Sequence, residues 1–293
     1  MKTLLERIAN GEVLVADGAM GTLLTEHGLE PGRPPEEFNL QRPEVLREIA
    51  RRYLDAGANL IHTNTFGASP LQLARHGLDD RTEEINRNAV RAAREAVGEG
   101  EALVSASCGP CGRLLEPYGD IDPSSVGESF RRQISALVDA GIDMLTIETM
   151  TDLAEATTAV RAARSVSSSM TVAATMTFDA TPNGFFTIMG TGIEQAARGL
   201  SDAGADIVGS NCGNGIEKMV EIAAEFRRHT SLPLVIQSNA GLPEMQGGRV
   251  RYPETPEFMA EHAARLLDLG VAIIGGCCGT KPEHIAAIRR LVV

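Results

Sequence analysis

The run Gly275-Gly276-Cys277-Cys278-Gly279-Thr280 directly follows the apolar stretch Val271-Ala272-Ile273-Ile274. Adjacent cysteines cannot easily bridge each other, because a trans vicinal pair misses the S–S torsion a disulfide needs unless it is strained. Two thiols at the tip of a buried strand, flanked by glycines that let the backbone bend, suit two metal ligands. A third thiol, Cys212, ends another apolar stretch, Ile207-Val208-Gly209-Ser210-Asn211-Cys212-Gly213. Three thiolates are the donor set of a zinc centre that keeps one position open. The alternative is three inert cysteines packed as small hydrophobes. That both sites end a strand and are wrapped in glycine favours ligands. Three thiolates on Zn2+ leave one net negative charge. A substrate thiol at the open position would lose its proton yet stay electron-rich, which suits sulfur nucleophilicity better than carbonyl polarisation.

Asp17 and Glu148 are the acids placed to meet a cationic amine, and the backbone N–H groups around Gly18 to Thr22 could receive a carboxylate. Either acid could instead cap a following helix. Cys108-Gly109-Pro110-Cys111 has the spacing of a dithiol redox pair or half a zinc site. No long helix follows to lower a thiol pKa, and no second C-x-x-C completes a four-cysteine site. Two reduced loop thiols are the expectation, with a thiol–disulfide switch as the lesser alternative. The histidines do not pair at metal spacing. His62 lies within an expected strand and reads as a satisfied core residue. His27, His76 and His229 read as surface, and His262 and His284 as outer-helix positions.

Positioning these groups at one place requires an ordered frame. Asp55-Ala56-Gly57-Ala58, Asp139-Ala140-Gly141-Ile142, Asp202-Ala203-Gly204-Ala205 and Asp268-Leu269-Gly270-Val271 each close a helical pattern and open an apolar strand. Glycine just past the last helical turn tolerates the left-handed backbone found there. Strands are expected at Val13–Ala16, Asn59–His62, Ala102–Ser105, Asp143–Ile147, Thr171–Thr175, Asp206–Gly209, Leu234–Ile236 and Val271–Ile274. Their near-continuous apolar character is that of buried parallel strands. The reading is a (β/α)8 TIM-type barrel forming one domain over 1–293. A doubly wound sheet would more often carry a Gly-rich phosphate loop after its first strand, and Asp17-Gly18-Ala19-Met20-Gly21-Thr22 lacks that spacing. Barrel chemistry sits at the carboxyl ends of the strands. That rule gathers Asp17, Thr63-Asn64, Cys108, Glu148, Asn211-Cys212, Asn239 and Cys277-Cys278 around one mouth.

Composition narrows the partners. The 293 residues include 39 acids against 27 bases, a net charge of −12, which argues against nucleic acid. No apolar run approaches the ~18 residues of a membrane span, and the amino terminus lacks a secretory core. Five cysteines in so long a chain are too few and too uneven for a disulfide framework, so a reducing cytoplasm is expected.

Together, Asp17-Gly18-Ala19-Met20-Gly21-Thr22, Phe38-Asn39-Leu40, Thr63-Asn64-Thr65-Phe66-Gly67-Ala68, Ile147-Glu148-Thr149, Gly209-Ser210-Asn211-Cys212 and Gly275-Gly276-Cys277-Cys278-Gly279-Thr280 resemble the homocysteine S-methyltransferase family. The likeness is strongest to the homocysteine-binding module of cobalamin-dependent methionine synthases and runs from about residue 5 to residue 292. The resemblance implies a zinc barrel that activates homocysteine as a zinc-bound thiolate and methylates it to methionine. It implies Cys212, Cys277 and Cys278 as zinc ligands. Asp17 and Glu148 would hold the substrate ammonium, with Asn211, Gly18 and Thr63 lining the site. The family usually has no cysteines after strand three, so Cys108 and Cys111 depart from it. The end at Val293 predicts no folate or corrinoid module. Without Trp, and with Gly67 after Phe66 and Thr149 after Glu148, no aromatic cage for a quaternary ammonium donor is expected. The expected donor is a methylcorrinoid on a separate protein. The alternatives are a self-sufficient enzyme using S-methylmethionine or S-adenosylmethionine, or a homocysteine-binding module that needs a partner.

Overall fold

The computed structural model describes residues 3–247 and 249–292. Eight strands form the inner wall: β1 (Leu14–Val15), β2 (Leu60–His62), β3 (Leu103–Cys108), β4 (Met144–Met150), β5 (Thr171–Met176), β6 (Ile207–Asn211), β7 (Leu234–Ser238) and β8 (Val271–Gly276). Each pairs in parallel with its sequence neighbours, and β8 returns to β1. The ring closes through a parallel bridge between Ala16 and Leu60, where Asp17 N donates to Leu60 O at 3.0 Å and Asn59 N to Val15 O at 2.8 Å. The expected (β/α)8 barrel is therefore the fold.

The outer ring is α1 (Pro43–Asp55), α2 (Thr82–Val97), α3 (Pro123–Asp139), α4 (Leu153–Val166), α5 (Ile193–Ala203), α6 (Ile216–His229), α7 (Pro256–Asp268) and α8 (Pro282–Arg289). In α1, Leu46, Ile49, Ala50 and Tyr53 are buried at helical spacing, so one apolar stripe meets the wall. Gly57, Gly141, Gly204 and Gly270 all have positive φ, as their place after a helix demands. Two residues beyond the first three of these glycines stands a clip. Asn59 Oδ1, Asp143 Oδ2 and Asp206 Oδ2 accept from the backbone N–H of Val15, Val104 and Val172 at 2.7, 2.7 and 2.8 Å. Each clip residue also donates its own N–H to the carbonyl of the same valine. A helix end thereby fixes the start of its strand against the strand before it.

Alternation along the wall sends Leu14, Leu60, Met144, Ile207, Val235 and Ile273 inward as a dry floor, and Leu4 of the short helix Leu4–Ala9 packs beneath them. Above this floor the inward positions turn polar. Ser105 Oγ and Thr146 Oγ1 bond at 2.8 Å, and His62, Ser107, Glu148, Thr175, Asn211, Gln237 and Cys277 follow toward the carboxyl ends. Two hairpins, Asp179–Thr181 with Gly184–Phe186 and Glu244–Gln246 with Arg249–Arg251, rise from the loops after β5 and β7. Among the described residues no helix is long and apolar enough to cross a membrane.

Candidate metal and amino-acid site

Cys212, Cys277 and Cys278 come together where β6 and β8 end. Their sulfurs all lie within 4.8 Å of one another, and Cys212 Sγ is 3.8 Å from Cys278 Sγ. A tetrahedral zinc with bonds of about 2.3 Å sets its sulfurs about 3.8 Å apart. The donor set and the spacing therefore fit zinc. Local backbone chemistry makes the convergence possible. Cys212 has φ +60, a left-handed conformation rare outside glycine, and Gly213 follows at φ +75. That turn aims the Cys212 thiol back across the mouth. Cys277 N donates to Ser238 O at 2.7 Å and Ala240 N to Cys278 O at 3.0 Å, tying the vicinal pair to β7. Thr280 closes the turn through its hydroxyl, which donates to Cys277 O at 2.6 Å. Hydrogen bonds from Cys212 and Cys277, and another from the Tyr252 hydroxyl, lower the Cys278 thiol against the opposing effect of burial.

Asn211 links this centre to Glu148. Its Oδ1 accepts from Thr149 N at 2.8 Å and from Thr175 Oγ1 at 2.6 Å. Those contacts fix the amide, so Nδ2 reaches Thr149 Oγ1 at 2.8 Å, Glu148 Oε2 at 3.3 Å and Cys277 Sγ at 3.9 Å. Thr149 is held at φ +61, which is strained for a β-branched residue, and its backbone N–H is what grips Asn211. Glu148 also accepts from Ser107 Oγ. Burial raises its carboxyl above the ordinary value, while the His62 charge and the Ser107 bond pull it back.

Asp17, just past the end of β1, is 2% exposed, and each of its two oxygens meets His62. Its Oδ2 accepts from His62 N at 2.9 Å, and its Oδ1 lies 2.7 Å from His62 Nδ1. His62 Nε2 is buried and has no hydrogen-bond partner among the described residues. Burial opposes charge on this ring, yet Asp17, through its charge and its hydrogen bond, and then Glu148 outweigh it and hold the imidazole above its ordinary value. His62 is thus only half the satisfied core residue that the sequence suggests.

The other expected site residues are placed as follows. Gly18 is wedged where a Cβ would stand 2.6 Å from Thr280 Oγ1 and 2.9 Å from Tyr53 Oη, so it serves close packing at the foot of the mouth. Of the amides considered for a carboxylate, Ala19 N already donates to Thr280 Oγ1 at 3.2 Å. Thr63 is buried, its hydroxyl 2.6 Å from Thr65 Oγ1 and taking a bond from Ser107 N at 3.4 Å. It secures the loop after β2. Asn39 and Asn64 lock onto each other, Asn64 Nδ2 donating to Asn39 Oδ1 and Asn39 Nδ2 to Asn64 O, both at 2.8 Å. Cys108 and Cys111 are not at the mouth's inner face. Cys108 ends β3 with its thiol donating to Gln133 Oε1 of α3 at 3.1 Å, in the layer between wall and helices. Burial raises the Cys108 thiol far above its usual range and pushes Cys111 up to about 12, so both are protonated at neutral pH.

Sequence reasoning missed Ser107, the partnership of His62 with Asp17, and Tyr252. The first two follow from the inward parity of 62 and 107. Tyr252 left a signal only at Gly279, where φ is +80 and a Cβ would fall 2.0 Å from the tyrosine ring.

The chain is 32% identical over 304 residues to a methionine synthase of Mycobacterium leprae, covering 99% of this chain and 25% of that protein. It is 31% identical over 300 residues to the methionine synthase of Mycobacterium tuberculosis, covering 97% of this chain and 25% of that protein. The chain thus spans about a quarter of the length of these relatives. The metallated form of the homocysteine methyltransferase MmuM from Escherichia coli superposes with a TM-score of 0.82 at 24% identity, covering 98% of this chain and 99% of that one, a likeness of fold. The profile of the homocysteine S-methyltransferase family matches residues 14–292, and the chain belongs to that family.

Proposed function

We propose that residues 1–293 form one homocysteine-binding barrel, a zinc-dependent S-methyltransferase that makes methionine with a methyl group from a methylcorrinoid on a separate protein. The observation that carries the reading is the trio of sulfurs at zinc spacing, joined through Asn211 to a half-buried carboxylate. Zinc, when bound, would lower the pKa of the substrate thiol so that it reacts as a thiolate at neutral pH. Cys212, Cys277 and Cys278 would hold the metal. Glu148 would take the substrate ammonium, and Asn211 would keep that carboxylate at a fixed distance from the sulfurs. The two ends of homocysteine would be held independently. Cysteine, one methylene shorter, could not span both contacts and is expected to be a poor substrate.

Two observations favour a protein-borne methyl donor. The longer relatives are methionine synthases. The loops above the strands also expose Phe66, Leu114, Tyr118, Ile188, Leu242 and Met245 around the mouth, a rim suited to an apolar contact with a second protein. A reducing cytoplasm is the proposed compartment, since the metal trio must stay reduced to bind zinc. Zinc content of the purified protein and of Cys278→Ala tests the metal assignment. Near-stoichiometric zinc is expected in the parent and a large loss in the variant, whereas full occupancy in Cys278→Ala would remove Cys278 as a ligand. Turnover with a methylated corrinoid protein, and not with free S-methylmethionine or S-adenosylmethionine, is expected of the donor. Turnover with either sulfonium alone would replace the carrier reading with a self-sufficient enzyme.

A further inference from the structure

The acid that sequence patterning pairs with Glu148 is already spoken for. Asp17 gives one oxygen to the backbone N–H of His62 and the other to its ring, at 2.9 and 2.7 Å. His62 lies on the inward face of β2, and among the described residues it is the basic side chain of the barrel's inner wall. Two unpaired carboxylates in one buried pocket could not both stay ionised at low cost. An imidazolium clamped between Asp17 and the field of Glu148 removes that conflict. Among the described residues its Nε2 has no hydrogen-bond partner, so Asp17 is the group to which the ring is bonded.

We propose that His62 and Asp17 form an internally neutralised pair, with His62 a positioning residue that fixes and cancels Asp17, leaving Glu148 as the counter-ion of the substrate's ammonium group. This rests on the homocysteine reading above. It gives the pocket one net negative charge for one ammonium, in place of two. Replacing the pair by two neutral amides keeps a donor facing an acceptor and leaves the charge sum unchanged. Recognition of the amine should therefore survive removal of both charges together.

The test is calorimetric binding to the zinc-loaded protein of homocysteine and of 4-mercaptobutyrate, which is homocysteine without its amine. The ratio of the two dissociation constants is the amine selectivity. Zinc content and thermal unfolding are checked in every variant. Glu148→Gln should lose selectivity by roughly 10- to 150-fold, the worth of a charged hydrogen bond. The double variant Asp17→Asn/His62→Asn should keep selectivity within about threefold of the parent, as for a compensated pair. If the double variant loses as much as Glu148→Gln, Asp17 is itself a counter-ion and the proposal falls. Should the double variant fail to fold, nitrogen NMR of the parent decides. A His62 ring with both nitrogens protonated at neutral pH is expected, and a neutral ring overturns the pairing. If the parent binds homocysteine no better than 4-mercaptobutyrate, the amino-acid reading fails and takes this inference with it. Retained selectivity in Glu148→Gln sinks the inference alone.

Discussion

Glu148 and Asn211 show how much of the site rests on a few atoms. Asn211 is anchored through its oxygen to Thr149 and Thr175, so its single NH2 group faces both a carboxylate and a sulfur. The three cysteines were legible because thiols at strand ends beside glycine have few other uses. The acids were legible as residues, yet their division of labour was not. Whether Asp17 is free depends on the crossing from the end of β1 to β2, a contact between positions 45 apart in the chain. A pH dependence follows from Glu148. Its folded pKa is raised, so protonation begins at a higher pH than for an ordinary carboxyl. The protonated acid offers an ammonium no counter-charge. Amine selectivity should be full above that raised pKa and fall as pH drops through it, while binding of 4-mercaptobutyrate lacks this step. Asp17, His62 and the three thiols share the pocket, so the ratio of the two ligands, not either affinity, is the quantity to follow. A ratio that stays flat into acid would show that Glu148 does not meet the amine.

Between elements, the outcome turns on where strands end and what lies between them. All eight expected strands are present, and the sequence rule placed their starts within about a residue. Six of the eight ends were set too early, while β2 ends at His62 as expected and β1 one residue before the expected Ala16. The structure carries β3 to Cys108, β4 to Met150, β6 to Asn211 and β8 to Gly276, because polar inward residues such as Ser107 and Glu148 end an apolar run without ending the ladder. Cys108 is therefore a strand residue turned toward α3, which no C-x-x-C spacing reveals. Gly209 marks a tight crossing, since a Cβ there would stand 1.8 Å from Val235 O of the next strand. Gly209→Ala must push β6 off β7, costing about 3 kcal/mol and disturbing Asn211 and Cys212 two and three residues on. Denaturant unfolding with a parallel zinc measurement checks it, and a variant as stable as the parent would mean the two strands can part cheaply. Glu36 clamps the loop after β2 from the loop after β1, its Oε1 accepting from Gly67 N at 2.7 Å. Burial raises its pKa. A carboxyl raised on folding binds its proton more tightly in the native state, so stability falls as pH rises from the unfolded pKa through the folded one. Glu36→Gln keeps the accepting oxygen and removes the charge. Its melting temperature relative to the parent should rise from pH 5 to pH 8. A difference independent of pH would mean Glu36 titrates normally.

Taken whole, the molecule is a rigid cup with chemistry at one end. The dry floor of Leu14, Leu60, Met144, Ile207, Val235 and Ile273 fixes the strands, and the clips at Asn59, Asp143 and Asp206 fix their register, so the mouth inherits its geometry from below. This much was legible, because alternation and helix-closing glycines act locally. The rim was not, since exposed apolar residues on loops carry no period. Leu242 and Met245 stand 60% and 71% exposed on the loop and hairpin after β7, the same segment that places Tyr252 against Gly279 beside Cys278. A methyl carrier docking over the sulfurs would have to cover them. Leu242→Asp and Met245→Asp add charge where such a contact needs apolar surface, and neither residue is assigned to metal or substrate. Turnover with a methylated corrinoid protein should drop about tenfold or more in kcat/KM for the carrier, the cost of one buried contact of about 1.4 kcal/mol or more. Homocysteine binding and zinc content should stay at the parent's level. If both variants accept methyl groups from the carrier at the parent's rate, the rim is not the docking surface, and the donor must reach the sulfurs without covering the hairpin after β7.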